Sequence, residues 1–508
     1  MTIRETSSRK PTHWLIIIGL FVLLIIFQCL ATDIRSFWED EAYTARMIEY
    51  DSKTIIDILA KDIHPPAYWL GVKAWANLFG FTKFGIKSFS VVWILFAFGL
   101  IYKFALDLFD KPVALVSTGL FTFSTLILTY GHTARYYSMG AALSLLAVLM
   151  AFSQIKKGKW LPLIIYVLAG ALLLYTIYMG GTVLLALNIW WLLAWLRSER
   201  KILKLLEWSL AQLAILLLYA PWISFLISAT RNNISVDITG INWITEIAVR
   251  IGYLGYAYSA GEFFSPLNPI LWFGIILTIF IIIWAMIKWN WNLSLPLLIL
   301  LVAGGISVVY TIISVYPISA WQSLPNRTLF IYPFFIIILA YGISQLKGKW
   351  FVITLTAILI TYSVGAFNYF TNRQVIKPIL IVPWETIIDD IQSQSAEDMV
   401  VICTNDDTAC FYYQRRFGDQ RIGPENVGNI LEQHPSEIWW IQSNRIEFSN
   451  FKGRYAEQFT SLQEQYKLDQ TYAYVPHDPG ISMLKKRFLG DNVYEYRVIV
   501  YKFVAPEE

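Results

Sequence analysis

Apolar runs of about 20 residues, enough to cross the hydrocarbon core of a bilayer as a helix, recur along most of this chain. The pattern predicts about eleven spans, near 14–31, 84–106, 112–130, 134–154, 161–178, 180–196, 207–228, 267–287, 294–314, 327–345 and 350–369. The short pair meeting at Met179-Gly180-Gly181 also reads as a single re-entrant unit. Between the first two spans lies a long loop, 32–83, that is not a polar tether. Within it, KTIIDILA (53–60) and AYWLGVKAWANLFG (67–80) alternate apolar and polar faces at helical spacing. They predict amphipathic helices lying in the interface plane.

From Asn372 onward the pattern changes. Charge density becomes ordinary and short β-type runs appear: MVVICT (399–404), EIWWIQ (437–442) and YRVIVYKF (496–503). Helix-like stretches, ETIIDDIQSQ (385–394) and TACFYYQRRF (408–417), lie between them. The expectation is an α-helical polytopic membrane domain over 1–370, followed by a small α/β domain over 371–508.

Composition supports the membrane reading. Of 508 residues 56% are hydrophobic and only 15% charged, whereas soluble domains carry about 25% charged residues. Aromatic residues reach 16%, with 21 Trp, as suits a chain with much surface at membrane interfaces. A net charge of +4 is too small to argue for a nucleic-acid partner. The basic residues cluster instead in short loops: Arg4, Arg9 and Lys10; Lys156, Lys157 and Lys159; 197–204; Lys288; Lys347 and Lys349. Eleven spans put every cluster on one side, which the positive-inside rule makes cytoplasmic. The N-terminus is then cytoplasmic, and 32–83, 229–266 and 370–508 face outward. No small-residue cleavage site follows the first span, so it reads as an anchor. Cys29 lies in an apolar span. In the outward domain, Cys403 and Cys410 are open to two readings, a disulfide or two unpaired thiols.

Chemistry concentrates at the predicted outer ends. FWEDEAYTARM (37–47) sets Glu39, Asp40 and Glu41 among Phe37, Trp38 and Tyr43, just beyond the first span. Lys61-Asp62-Ile63-His64-Pro65-Pro66 opens the second amphipathic helix, and Pro66 suits its first helical position. A helix N-terminus with a basic side chain is an anion site. Arg135, flanked by Tyr136 and Tyr137, starts a short outer turn in TYGHTARYYSMGAA (129–142). Arg327, in WQSLPNRTLFIYPFF (321–335), opens a late span on the side where basic residues are disfavoured, so it calls for an anion. Taken singly, each has a bland reading: a bundle cap, a surface histidine, a snorkelling arginine. Together they form an acidic half (Asp40, Glu41) and a cationic half (Lys61, His64, Arg135, Arg327), with Tyr43 and Tyr136 as candidate substrate-binding rings. Such asymmetry fits group transfer from a lipid-linked phosphate: cations hold the phosphate while a carboxylate takes the nucleophile's proton. Neither a Walker A motif nor a GxGxxG is present, which argues against a nucleotide as direct substrate. The triplets Asn233-Ile234-Ser235 and Asn326-Arg327-Thr328 match the N-glycosylation acceptor pattern.

The run WEDEAYTARMI through IHPPAYWLGVKAWANLFGFTKFGIKSFS resembles the first-loop signature of the C superfamily of membrane glycosyltransferases. Within it, the likeness is to the protein O-mannosyltransferase and lipid A aminoarabinose transferase family (glycosyltransferase family 39-like). ARYYSMGAALSLLAVLM and NRTLFIYPFFIIILAYGI are similar to later stretches of that family, and the resemblance covers most of 10–370. It implies a polyprenyl-phosphate sugar as donor and an inverting transfer on the extracytoplasmic face of a prokaryotic plasma membrane. It implies no required cofactor and an optional divalent ion. Asp40 matches the catalytic member of the family's acidic pair and Glu41 its companion. His64 stands where the aminoarabinose transferase has a phosphate-contacting lysine, leaving Lys61 or Arg327 to make up the charge. Where some members carry a second acid, this chain has Arg135-Tyr136-Tyr137. The C-terminal domain lacks a β-trefoil signature, so the acceptor (protein, lipid or glycan) does not carry over. A different class, a transporter or flippase of a lipid-linked substrate, needs interrupted helices and polar groups at the midplane. Here the spans are nearly free of charge at their centres.

Overall fold

The computed structural model describes residues 12–197, 199, 201–233, 241–314, 323–404, 408–444, 455–474, 483 and 497–506. After α1 (Thr12–Ile34), three short helices fill the first loop: α2 (Glu39–Met47), α3 (Ser52–Leu59) and α4 (Ala67–Phe79). Then come α5 (Lys83–Leu108), α6 (Lys111–Phe123), α7 (Thr125–Tyr130), α8 (Tyr137–Lys157), α9 (Trp160–Leu174) and α10 (Gly180–Trp195). The helical part continues through α11 (Lys201–Tyr219), α12 (Ile223–Asn233), α13 (Trp243–Ala260), α14 (Pro269–Ile287), α15 (Ser294–Ile299) and α16 (Gly305–Ile313). It ends with α17 (Leu324–Arg327), α18 (Tyr332–Ser344) and α19 (Lys349–Phe370).

Among the described residues, 7 helical segments are long and apolar enough to cross a membrane by length and composition; shorter apolar helices cover 160–174, 180–195 and 329–344. Each overlaps an expected span. The expected span at 112–130 is broken at Ser124, whose hydroxyl accepts from the Ile127 N–H and bonds the Tyr332 hydroxyl at 2.8 Å. The stretch expected to be an outer loop, 229–266, carries α13. Its Glu246 and Arg250 make it too polar to read as a span. Arg250 turns inward, donating to Thr311 Oγ1 at 3.0 Å, while Ile244, Val249 and Ile251 face outward.

The bundle has two chemically different ends. At one, Lys156 donates to the Asp107 carbonyl and Asn292 to that of Leu108, gathering the basic turns. At the other lie the first-loop helices, the 131–136 turn, the α13–α14 turn and α17. The amphipathic expectations hold here: α3 buries Ile55 and Leu59, and α4 buries Tyr68, Trp69, Val72 and Ala76. Asp51 caps α3 by accepting from the Lys53 and Thr54 N–H groups, and Gly80 ends α4 at φ +94°, a conformation glycine adopts without strain.

At this same end sits a five-stranded sheet, with β1 (Val400–Cys403), β2 (Arg421–Ile422), β3 (Glu437–Asn444), β4 (Lys467–Tyr474) and β5 (Arg497–Val504) in the order β2-β1-β3-β5-β4. β1 pairs parallel with β2 and β3, while β5 pairs antiparallel with β3 and β4. The three predicted strands are present. β2, of two residues, and β4, exposed along most of its length, lack the apolar run that marked the others. α20 (Trp384–Gln394) and α21 (Thr408–Gln414) attach the sheet to the first loop. The Phe37 N–H donates to the Tyr413 hydroxyl at 2.7 Å, the Glu385 N–H to Ser36 Oγ at 3.2 Å, and Lys83 pairs with Glu385 at 2.7 Å. A Cys403–Cys410 disulfide ties the end of β1 to α21.

Candidate active site

Four residues separate the end of α1 from the start of α2. The Trp38 N–H donates to Glu41 Oε2 at 3.4 Å and the Trp38 carbonyl accepts from Ala42 at 2.9 Å. Glu39, Asp40 and Glu41 occupy the first turn, where negative charge meets the positive end of the helix dipole. Consecutive helical residues point about 100° apart, so Asp40 and Glu41 cannot share one face. Glu41 turns inward. It accepts from the Ala134 N–H at 2.8 Å and pairs with Lys87 at 3.2 Å, both side chains essentially unexposed. Lys87 also donates to the Arg35 carbonyl at 3.1 Å. Burial pushes the Glu41 carboxyl above its ordinary range, against the pull of Lys87 and the Ala134 N–H.

Asp40 turns away from that buried pair, with its side chain 32% exposed. Oδ2 accepts from the Tyr137 hydroxyl at 3.0 Å, and Oδ1 lies 3.5 Å from Arg135 Nη2. Burial pushes this carboxyl up, but Arg135 above all, with the Tyr137 bond and Arg327, outweighs it and holds it below the usual range. The Arg135 guanidinium is framed by the rings of Trp69 (5.3 Å), Tyr136 (5.6 Å) and Tyr43 (5.7 Å). Its Nε and Nη1 are buried with no hydrogen-bond partner among the described residues. An unmet buried donor costs about 1–3 kcal/mol, more when charged.

His64 stands between this pair and Asp62. Arginine only donates, so His64 Nε2 accepts from Arg135 Nη2 at 3.2 Å, and Nδ1 carries the proton shared with Asp62 Oδ2 at 3.3 Å. Burial lowers the His64 pKa, with Asp62 pulling the other way. With Nε2 accepting and Nδ1 donating, the imidazole is in its neutral form and supplies orientation rather than positive charge. Tyr43 donates to Asp62 at 2.8 Å. Lys61 is exposed beside this corner, and Arg327 is half-buried at the end of α17. Pro66 caps α4 instead of entering it, and the Ala67 N–H is already spent on the Tyr175 carbonyl at 2.9 Å. This weakens the helix N-terminus as an anion site. Among the described residues no three His, Cys, Asp or Glu side chains converge as a metal cluster.

A second polar cluster lies behind Tyr137; it joins Asn326, marked in the sequence only as part of a glycosylation triplet, to Lys377 and Glu262, which no local pattern singled out. Asn326 Nδ2 donates to the Tyr137 hydroxyl at 2.7 Å, and Lys377 Nζ donates to Asn326 Oδ1 at 3.2 Å. Lys377 also lies 3.1 Å from the Tyr130 hydroxyl and 3.6 Å from Glu262 Oε1, and Glu262 accepts from both Tyr130 and Tyr253. Asn326 is only 2% exposed. Its amide serves this network, so the glycosylation triplet there is not presented to solvent. Lys87 had a usable signal, an ionisable residue inside an apolar span, which marks a partner nearby.

Residues 63–225 match the family described as dolichyl-phosphate-mannose-protein mannosyltransferase. No curated protein matches the sequence. Among solved structures, ArnT from Cupriavidus metallidurans bound to undecaprenyl phosphate aligns over 97% of this chain and 98% of that chain, with TM-score 0.55 and 13% identity. The archaeal oligosaccharyltransferase AglB from Archaeoglobus fulgidus, in complex with an inhibitory peptide and a dolichol-phosphate, aligns over 86% and 70%, with TM-score 0.52 and 11% identity. The resemblance read in the first loop is thus met twice, by a family match over 63–225 and by a shared architecture along almost the whole chain: this protein has the fold of the C-superfamily membrane glycosyltransferases.

Proposed function

We propose that the protein transfers a sugar from a polyprenyl-phosphate carrier to an acceptor on the extracytoplasmic face of the membrane, with inversion at the anomeric carbon. The observation that carries the reading is Arg135: a buried guanidinium with two nitrogens that find no partner among the described residues, beside a partly exposed, ionised Asp40. Such a cation is suited to a phosphate oxygen, and fixed donors at a leaving group stabilise charge as it develops. The solved ArnT and AglB structures, which hold undecaprenyl phosphate and dolichol-phosphate, favour the same ligand class.

In this mechanism the acceptor's hydroxyl or amine attacks the anomeric carbon as the carbon–oxygen bond to phosphate breaks. The bonding pair leaves with the polyprenyl phosphate, held by Arg135 and the nearby Arg327, and the nucleophile's proton passes to Asp40. Glu41 is a positioning residue, anchoring α2 through Lys87. His64 orients Arg135, Tyr43 and Tyr136 wall the guanidinium, and Lys61 stands exposed near the opening. The test offers the purified full chain radiolabelled polyprenyl-phosphate sugars together with membrane acceptors. Transfer is expected in the wild type and absent in Asp40→Asn; transfer unchanged in that variant overturns Asp40 as the base. A reporter fused after residue 508 is expected to read extracytoplasmic, and a cytoplasmic readout would break the proposed orientation.

A further inference from the structure

The two polar clusters at this end of the bundle are joined by a chain of hydrogen bonds whose direction is fixed at both ends. Lys377, on the segment between α19 and α20, has only donors. It therefore takes the oxygen of the Asn326 amide, at 3.2 Å, and turns the Nδ2 group towards Tyr137, at 2.7 Å. Tyr137 receives that donor on its oxygen and sends its own hydrogen to Asp40 Oδ2, at 3.0 Å. Ionised Asp40 only accepts, so it demands the same polarity. Reversing the chain would bring the Asn326 NH₂ group against the Lys377 ammonium, donor to donor. Lys377 is itself held by Glu262 and Tyr130.

We propose that Lys377 is a positioning residue for Asp40: through Asn326 and Tyr137 it imposes a one-way hydrogen-bond chain that ends on Asp40 as an acceptor. A protonated Asp40 that donated back to Tyr137 would displace the Tyr137 hydrogen, which the Asn326 NH₂ group on the other side cannot accept, so the chain favours the carboxylate. Its catalytic meaning rests on the transferase reading, in which Asp40 must be ionised to receive a proton; the geometry itself does not. The other titratable groups around Asp40 are Arg135, His64 and Arg327 from neighbouring elements, with Glu39 and Glu41 beside it in the first turn of its own helix. None of these is changed in the variants below.

The experiment is an infrared-detected pH titration of the full chain in lipid nanodiscs, without substrate. The carboxyl band missing from Asp40→Asn reports Asp40. The paired variant Glu262→Gln/Lys377→Met removes the terminal donor while leaving no unpaired buried charge, so its long-range field largely cancels. The Asp40 midpoint is expected to rise by about half to one pH unit, the worth of one modest hydrogen bond. Tyr137→Phe alone should give a similar rise, and adding it to the pair should give no more than Tyr137→Phe alone. Asn326→Leu, which leaves both charges in place, should also raise the midpoint and serves if the pair does not fold. An unchanged midpoint in the pair, or in Asn326→Leu, overturns the proposal. So does full additivity with Tyr137→Phe, because the two would then act separately. Because no donor is used, a wild type that fails to transfer sugar defeats the functional reading and leaves this result standing.

Discussion

Two carboxylate–cation clusters share one end of the bundle and differ in how fully their polar groups are satisfied. Glu262 is saturated: two tyrosine hydroxyls and Lys377 meet it, and it is 1% exposed. Arg135 and Asp40 are not, since the guanidinium keeps two nitrogens unmet among the described residues and the carboxylate is 32% exposed. The residue types are nearly the same, so they do not tell the two apart. The completeness of the hydrogen bonding does: a closed network rigidifies, while an open one stands ready for a ligand. Glu41 with Lys87 repeats the lesson one residue from Asp40, closed where its neighbour is open.

The sharpest way to break this contrast is to remove charge from each kind of cluster in turn. Asp40→Asn is nearly isosteric, keeps an acceptor for the Tyr137 hydroxyl and removes the charge that faces Arg135 at 3.5 Å. It should abolish transfer, by up to about 10⁴-fold, the upper range for a general base. Its thermal midpoint should fall by less than breaking a fully buried pair would cause, because Asp40 is 32% exposed and solvent screens its side of the pair. Unfolding of this variant, or activity within tenfold of wild type, would place Asp40 among the closed residues.

Next in size is the reverse dissociation. Lys87→Met leaves Glu41 buried without its cation, and breaking one side of such a pair costs about 3–5 kcal/mol. The reading is a lower midpoint in thermal or denaturant unfolding. The paired variant Glu41→Gln/Lys87→Met should recover most of that loss, because replacing both members removes the uncompensated charge. If the single change lowers activity without lowering stability, Glu41 and Lys87 belong to the reacting set.

Arg135→Gln tests the open cluster from its cationic side. It removes the donors left for an anion and also the charge holding Asp40 ionised. Transfer should fall about 10²-fold, as for loss of one leaving-group stabiliser, and binding of undecaprenyl phosphate should weaken. The acid limb of the pH–rate profile should move up, because the Asp40 carboxyl loses the largest of the interactions that depress it. Weakened stability with unchanged lipid binding would make Arg135 another closed structural ion.

How much of this was legible in the chain follows from the range of each contact. α3 and α4 were readable because their faces repeat within a few residues, and Asp40 because three acids beside a span are conspicuous locally. The first loop also carried the family resemblance. Lys377 and Glu262 were not readable, and Tyr137 and Asn326 were read only as a neighbour of Arg135 and as part of a glycosylation triplet. Asn326 meets Tyr137 across 189 residues and Lys377 meets Tyr130 across 247, with no local pattern that joins them. The opposite facing of Asp40 and Glu41 follows from helical spacing, but only once the acidic stretch is recognised as helix α2. Its sequence, short and rich in charge, did not announce that.

His64 gives the smallest and most discriminating effect. As a phosphate cation it would have to be protonated, yet burial depresses its pKa and its Nε2 is occupied in accepting from Arg135. A neutral amide can take over that acceptor role, so His64→Gln should cost less than about tenfold in transfer, the worth of one hydrogen bond. The stability consequence has a definite sign. A histidine buried neutral has a folded pKa below its unfolded value of about 6.5, so the unfolded chain binds the extra proton between the two. The contribution of His64 is complete above about pH 6.5 and is lost as pH falls through the lower folded value. The thermal midpoint should therefore decline on the acid side of pH 6.5, and the decline should be shallower in His64→Gln. A wild-type profile in which lipid-phosphate binding instead strengthens as pH falls through that window, and loses this response in His64→Gln, would move the histidine into the open cluster as a protonated phosphate ligand.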